Sequence, residues 1–410
     1  MNKKLLTVLT VVLIFGTLAG CNKKNDTALA EMNAKLEAMQ AELDKAKSGN
    51  AAPEIAQQEQ AAEQKQETAT PATNTTTTQT VTPVIATKDS KNWEISNGHL
   101  TINNGVTTIG ERAFQDTSIT SVTIPDSVTS IEEWAFYRCT KLTSVTIPNS
   151  VTSIKNYAFV DCFSLVSVTI GSGVTSIGDI NFGSNFNLAS ITIDANNPNY
   201  SSVDGILYNK EKTKMLFVPP TKTNVNLPNG ITSIEEKAFY GNERITSVTI
   251  PNSVTSIGQQ AFENCKNLTN VAIPSSITSI ATRAFFRCEK LASITIPNRV
   301  TRIEDNTFNC CYKLSSVTIP NSVKSIGVNA FAACGSIASI TIPDSVTSIG
   351  ASAFDNCVSL TTVTFQGTIA SGNFAGNAFS SIMGDLRAKY LTGGAGKYTR
   401  ASDGTVWTKQ

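Results

Sequence analysis

Ile342-Pro343-Asp344-Ser345-Val346-Thr347-Ser348-Ile349-Gly350-Ala351-Ser352-Ala353-Phe354-Asp355-Asn356-Cys357-Val358-Ser359-Leu360-Thr361-Thr362-Val363-Thr364 is one copy of a 23-residue motif that fills most of this 410-residue chain. Its phenylalanine recurs at Phe114, Phe136, Phe159, Phe182, Phe239, Phe262, Phe285, Phe308, Phe331, Phe354 and Phe379. The steps between them are 22, 23 and 23, then 57, then five of 23, and finally 25. A fixed period in this range predicts a stacked solenoid, because a single repeat cannot bury its apolar face without neighbours.

Each repeat divides into three parts. Leu142, Val145 and Ile147 lead into an alternating stretch that reads as a strand, stopped by Pro148. Val151 and Ile154 mark a second extended segment, and Ala158-Phe159-x-x-Cys162-x-x-Leu165 has the spacing of a short helical turn. The expected fold is a repeat solenoid, mainly β with short helical turns, of about 10–11 coils. If Val145 and Ile147 point inward, Ser144 and Thr146 point outward. Equivalent Ser/Thr pairs, from Ser121/Thr123 to Ser339/Thr341, would then form a ladder of hydroxyls pairing from rung to rung about 4.8 Å apart. Seven of the nine cysteines stand three residues after a ladder phenylalanine, where Asn185 and Asn242 stand in two other repeats. They read as reduced, buried thiols, although neighbours about 5 Å apart could be cross-linked.

Residues 1–20 read as a signal peptide: Lys3 and Lys4 precede an apolar stretch from Leu5 to Leu18 that is short for a membrane span. Leu18-Ala19-Gly20-Cys21 resembles a bacterial lipobox, which makes Cys21 the lipidation site and first mature residue. Asn22 after it leans towards the outer membrane by the usual sorting pattern. In 21–47, Leu29, Met32, Leu36, Met39 and Leu43 keep an a/d heptad spacing. That segment is either a weak oligomerising stalk through 29–46 or a solitary amphipathic helix. Residues 48–92, rich in Gln, Ala, Thr and Pro, read as a disordered linker whose first 40 or so residues would span roughly 35 Å as a coil.

The body is expected over 93–380. Asn97-Gly98 suits a type I′ hairpin that caps the first coil, with His99 solvated beside the turn. The 57-residue step is 23 plus 34 and marks an insertion near 194–228. There, Ile206-Leu207-Tyr208 and Met215-Leu216-Phe217-Val218 flank a polar turn, which reads as a hairpin projecting from the solenoid. Residues 381–410 form a cap and tail, with Leu386–Leu391 as a final helix.

The motif with Ser-Val-Thr-Ser-Ile-Gly, Ala-Phe and Cys-x-x-Leu resembles the BspA-like leucine-rich repeat over roughly residues 93–380, including Asp204-Gly205-Ile206-Leu207-Tyr208. The resemblance implies a surface-exposed bacterial protein that adheres to host matrix or cell-surface proteins, to glycans or to other bacteria, and it brings no catalytic residues. Membrane contact would be through the lipid anchor only, in the cell envelope. The alternative is a structural envelope-scaffold lipoprotein. Net charge is +1 with no sustained basic stripe, which argues against nucleic acid. No H-E-x-x-H or G-x-S-x-G occurs, Gly393–Tyr398 fails the spacing of a phosphate loop, and neither catalytic, metal nor cofactor residues are assigned. Partner contacts are expected where repeats differ, at Trp134, Tyr137, Arg138, Tyr157, Arg283, Phe286, Arg287, Arg299 and Arg302, because exposed aromatic and Arg groups anchor interfaces.

Overall fold

The computed structural model describes residues 83–179, 181–379 and 384–410. The expected signal peptide, Cys21, the 21–47 helix and residues 48–82 of the linker lie outside the described residues. From Pro83 onward the chain is a β-solenoid of about 12 turns of about 23 residues. Strand Ser144–Ile147 pairs in parallel with Ser167–Ile170, and that with Ser190–Ile193, so Val145, Val168 and Ile191 share one row and Ile147, Ile170 and Ile193 the next. These apolar rows are buried while Ser144 and Thr146 face outward, as the alternation requires. A second ladder of two-residue strands pairs Ser130–Ile131, Ser153–Ile154 and Ser176–Ile177. Hydroxyl bonds between coils come mainly from a different row than expected. Thr143 donates to the Thr120 carbonyl and Thr152 to the Thr129 carbonyl, each at 3.1 Å. A backbone carbonyl left by the preceding coil is a fixed acceptor, whereas a strand-face hydroxyl already has water.

The third side is not helical. In the coil of Phe136, the N–H groups of Ala135, Tyr137 and Cys139 close tight turns onto Glu132, Trp134 and Phe136. The alternate N–H groups, of Trp134, Phe136 and Arg138, cross to the carbonyls of Asn156, Ala158 and Val160 in the next coil. Crossing requires left-handed backbone two residues either side of the phenylalanine, at Trp134 (φ 60°) and Arg138 (φ 57°). A left-handed residue ends an α-helix, so the 3–4 spacing of Ala, Phe, Cys and Leu here serves a run of turns.

The phenylalanines form the spine of the core. Phe262, Phe285 and Phe308 stack with centroids 5.0 and 5.6 Å apart and planes within 10° of parallel. The seven ladder cysteines carry free, buried thiols. Each donates to the phenylalanine carbonyl of the coil before it, as Cys311 does to Phe285 at 3.2 Å, and Asn185 does the same for Phe159 at 2.9 Å.

The insertion does not project. Tyr200–Val203, Ile206–Asn209 and Lys214–Phe217 form an antiparallel meander, and Lys214–Met215 then pairs in parallel with Ser233–Ile234, splicing the meander into the second ladder. Ile206, Leu207, Tyr208 and Met215 are all buried, which a free hairpin could not achieve. At the start, Asn97 (φ 49°) and Gly98 (φ 81°) make the expected hairpin turn. His99 is not a loose turn residue: its ring nitrogens bond the hydroxyls of Ser121 and Thr123 at 2.7 and 3.0 Å. Ile85–Ala86 pairs with Thr108–Ile109, so the body begins inside the stretch assigned to the linker up to 92. The polar composition there hid a two-residue edge strand whose Ala86 is buried. At the other end the helix is Leu386–Gly393, and strands Gly396–Thr399 and Thr408–Lys409 extend the last first-strand ladder. Tyr390, Tyr398 and Trp407 are buried there and close the final coil.

Phe285→Ala should destabilise the body by about 3–5 kcal/mol, since both stacked neighbours lose contact; a melting temperature unchanged from wild type would contradict this core. Burial raises the thiols of Cys265, Cys288, Cys311, Cys334 and Cys357 above the ordinary 9.0, Cys357 to about 12. The native state then keeps protons that the unfolded chain releases. Their stabilisation is complete below pH 9 and is lost as pH rises from 9 towards 12. Peptide mapping after iodoacetamide at about pH 8 should find these five unlabelled until the protein is unfolded, and the melting temperature should fall above pH 9. Rapid labelling of the native protein would refute their burial.

Candidate partner-binding ridge

Left-handed positions flank most of the ladder phenylalanines, and in the coils of Phe114, Phe136, Phe159, Phe239, Phe262 and Phe285 the one before the ring carries an exposed or half-buried side chain on a ridge. Arg112, Trp134, Tyr157, Lys237, Gln260 and Arg283 form one row along it, with φ between 54° and 60°. Non-glycine residues with positive φ are uncommon, and such backbone persists only where the surroundings hold it; here the inter-coil bonds do so. The side chain along this row lies outside the phenylalanine spine and varies from coil to coil.

Four candidates come together on this ridge. Trp134 stacks on Tyr157 with centroids 4.3 Å apart and planes 11° from parallel, and Tyr137 meets Trp134 edge-on at 4.8 Å. The three rings are half-buried, while Arg138 is exposed. Its guanidinium lies 6.0 Å from the Tyr137 ring and 3.3 Å from the Asp116 carboxylate. The result is a rigid, amphipathic aromatic surface with a cation at one border, the composition that dominates interface energetics.

Farther along the ridge, Arg283 is committed internally. It grips Glu263 with two bonds of 2.8 Å, covers the Phe286 ring at 4.1 Å, and Gln260 also donates to Glu263 at 2.9 Å. The bonds to Glu263 raise the guanidinium pKa further above its ordinary value. A bidentate pair of this kind positions Phe286 more than it offers a charge to a partner. Arg287 holds the other left-handed position of the same coil. Arg299 and Arg302 are not brought to the ridge. Arg299 is exposed at the corner after strand Ser293–Thr295, and Arg302 lies in the two-residue strand Arg302–Ile303, 3.1 Å from Glu304.

Two surfaces were not among the candidates. Phe163 and Phe186 stack at 5.9 Å while 41% and 44% exposed, with Val166 (48% exposed) nearby in sequence. The signal was present: both stand four residues after a ladder phenylalanine, where Thr140, Lys266 and Glu289 stand in other coils. The second is a shallow groove of about 750 Å³ along Thr123, Thr146, Thr169 and Thr192, bordered by Asp126 and Asp194. Among the described residues, no three His, Cys, Asp or Glu side chains are grouped to hold a metal ion, and no helix is long and apolar enough to cross a membrane.

The family model of the BspA type leucine rich repeat region matches in six copies, over residues 91–203, 217–334 and 255–383. The chain belongs to that family. The BspA-type repeats thus run either side of the spliced meander and up to the C-terminal cap. Among solved structures, that of the pneumococcal vaccine antigen PcpA is 20% identical with a TM-score of 0.50, covering 62% of this chain and 74% of that one, which supports the fold alone. A leucine rich cell surface protein from Faecalibacterium prausnitzii is 30% identical over 67% of this chain and 73% of that one, with a TM-score of 0.48. A leucine-rich repeat protein from Eubacterium ventriosum is 26% identical over 65% and 93%, with a TM-score of 0.47. No curated protein matches the sequence.

Proposed function

We propose that this BspA-type protein is a non-catalytic, surface-exposed binding protein, lipid-anchored through Cys21, whose aromatic ridge contacts a protein or glycan of a host surface or of another bacterium. The observation that carries the reading is the Trp134–Tyr157 stack, held half-exposed on left-handed backbone with Tyr137 against its edge. Those rings contribute little to the buried spine, and their exposed apolar area is what a partner would cover. The F. prausnitzii relative is itself named a cell surface protein, which supports the location.

The test is binding of the purified protein to immobilised matrix proteins, glycans and bacterial surface extracts, with Trp134→Ala/Tyr157→Ala beside Arg302→Ala. Saturable binding should weaken tenfold or more in the double variant, about 1.4 kcal/mol or greater, and stay within twofold in Arg302→Ala. Equal losses in both variants would move the contact off the ridge. Absence of binding, together with resistance to protease on intact cells, would favour the envelope scaffold.

A further inference from the structure

The ridge is interrupted where the meander joins the repeats. Met215 pairs with Ile234, and the Val218 N–H reaches the Ala238 carbonyl as the Phe239 N–H reaches that of Ala261. Val218 therefore takes the place of a ladder phenylalanine. From Ile234 to Phe239 is five positions, and from Met215 to Val218 only three, so this coil lacks two residues of the corner that elsewhere carries the ridge. The stack breaks at the same point: Phe182 meets Phe217 tilted by 53°, and the apolar core divides into two clusters.

The missing corner leaves a pocket of about 310 Å³. Phe182, Phe217 and Tyr200 supply aromatic walls, with Leu216 beside them. The Tyr200 hydroxyl accepts the Ile177 N–H at 3.1 Å, which fixes its ring. Three carboxylates, of Asp179, Glu235 and Glu236, line the same pocket, against one ammonium, that of Lys237, which is held 2.8 Å from Glu236. Glu235 takes the Ser233 hydroxyl, a neutral partner that leaves its charge uncompensated. Negative potential over aromatic faces selects a cation, and an apolar floor selects a stem behind it.

We propose that this notch binds an ammonium or guanidinium group carried on an apolar stem, either as a free organic amine or as a basic side chain of a protein partner. The site is separate from the Trp134 ridge, and its test does not depend on that reading. Titration of the full protein by calorimetry and NMR with phenethylammonium and with Nα-acetylarginine amide should give saturable binding to at least one of them. 2-Phenylethanol and phenylacetate should bind at least tenfold more weakly. Binding of the arginine amide would point to a partner's side chain, and binding of phenethylammonium alone to a free amine. Leu216→Trp, which fills the notch, and Asp179→Asn/Glu235→Gln, which removes charge at its mouth, should each weaken the cation at least tenfold. The second variant alters polar side chains outside the apolar core, and its melting temperature would show that the fold is kept if Leu216→Trp does not fold. Equal binding of phenylethanol, binding unchanged in the charge variant, or no saturable binding of either cation would overturn the proposal.

Discussion

Through most of the array the backbone of the buried phenylalanine is tied at both its polar groups to the coil that follows, as at Phe114, Phe136, Phe239, Phe262, Phe285, Phe308 and Phe331. The Phe136 N–H donates to the Ala158 carbonyl at 2.8 Å, and its carbonyl accepts the Cys162 thiol at 3.2 Å. A polar backbone group in an apolar interior must find a partner, and no single coil can supply both. This coupling makes the repeat cooperative: a coil is stable only when the next one is present with its alanine and its thiol in register. The small alanine beside the ring lets the neighbouring backbone approach, and the thiol is compact enough to sit between layers of rings.

The same bonds create the display surface. Because alternate N–H groups must cross to the next coil, residues two before and two after the phenylalanine turn left-handed, and from Arg112 to Arg283 the row before the ring lies outside the spine. What occupies those positions matters little to the spine, so Trp134, Tyr157, Lys237, Gln260 and Arg283 can share one backbone site with unlike chemistry. The strand faces behave differently. Their outward Ser and Thr rows are nearly uniform along the array, which suits solubility and coil-to-coil spacing better than discrimination between partners.

The meander alters this arrangement. Val218 keeps the buried slot and the crossing N–H but cannot stack, and Asn242 replaces a thiol, reaching the Pro219 and Lys222 carbonyls at 3.5 and 3.4 Å. The parallel second ladder continues through Lys214–Met215, so the stack survives while its spine is broken. Here the irregularity falls at one corner of the coil, where it opens a pocket instead of unravelling the stack.

The 23-residue period, the inward rows of Val, Ile and Leu, the phenylalanine spine and the buried cysteine ladder were all legible in the chain, because each follows from which residues recur at fixed intervals. The same holds for the Asn97-Gly98 turn, where a side-chain-free residue meets a backbone demand. Other features came from contacts between coils that no single repeat encodes. Spacing by three and four reads as helix until the neighbouring carbonyls draw alternate N–H groups away and force left-handed backbone. A hairpin reads as projecting until its strands are found paired to the ladder, and Ile85–Ala86 reads as linker until Thr108–Ile109 offers an open edge. The nine partner candidates stand where repeats differ, which the sequence shows. Only tertiary structure decided that Trp134, Tyr137, Arg138 and Tyr157 share a surface, that Glu263 holds Arg283, and that Arg299 and Arg302 lie off the ridge, because distance between side chains is set by the stacking of coils and not by position along them.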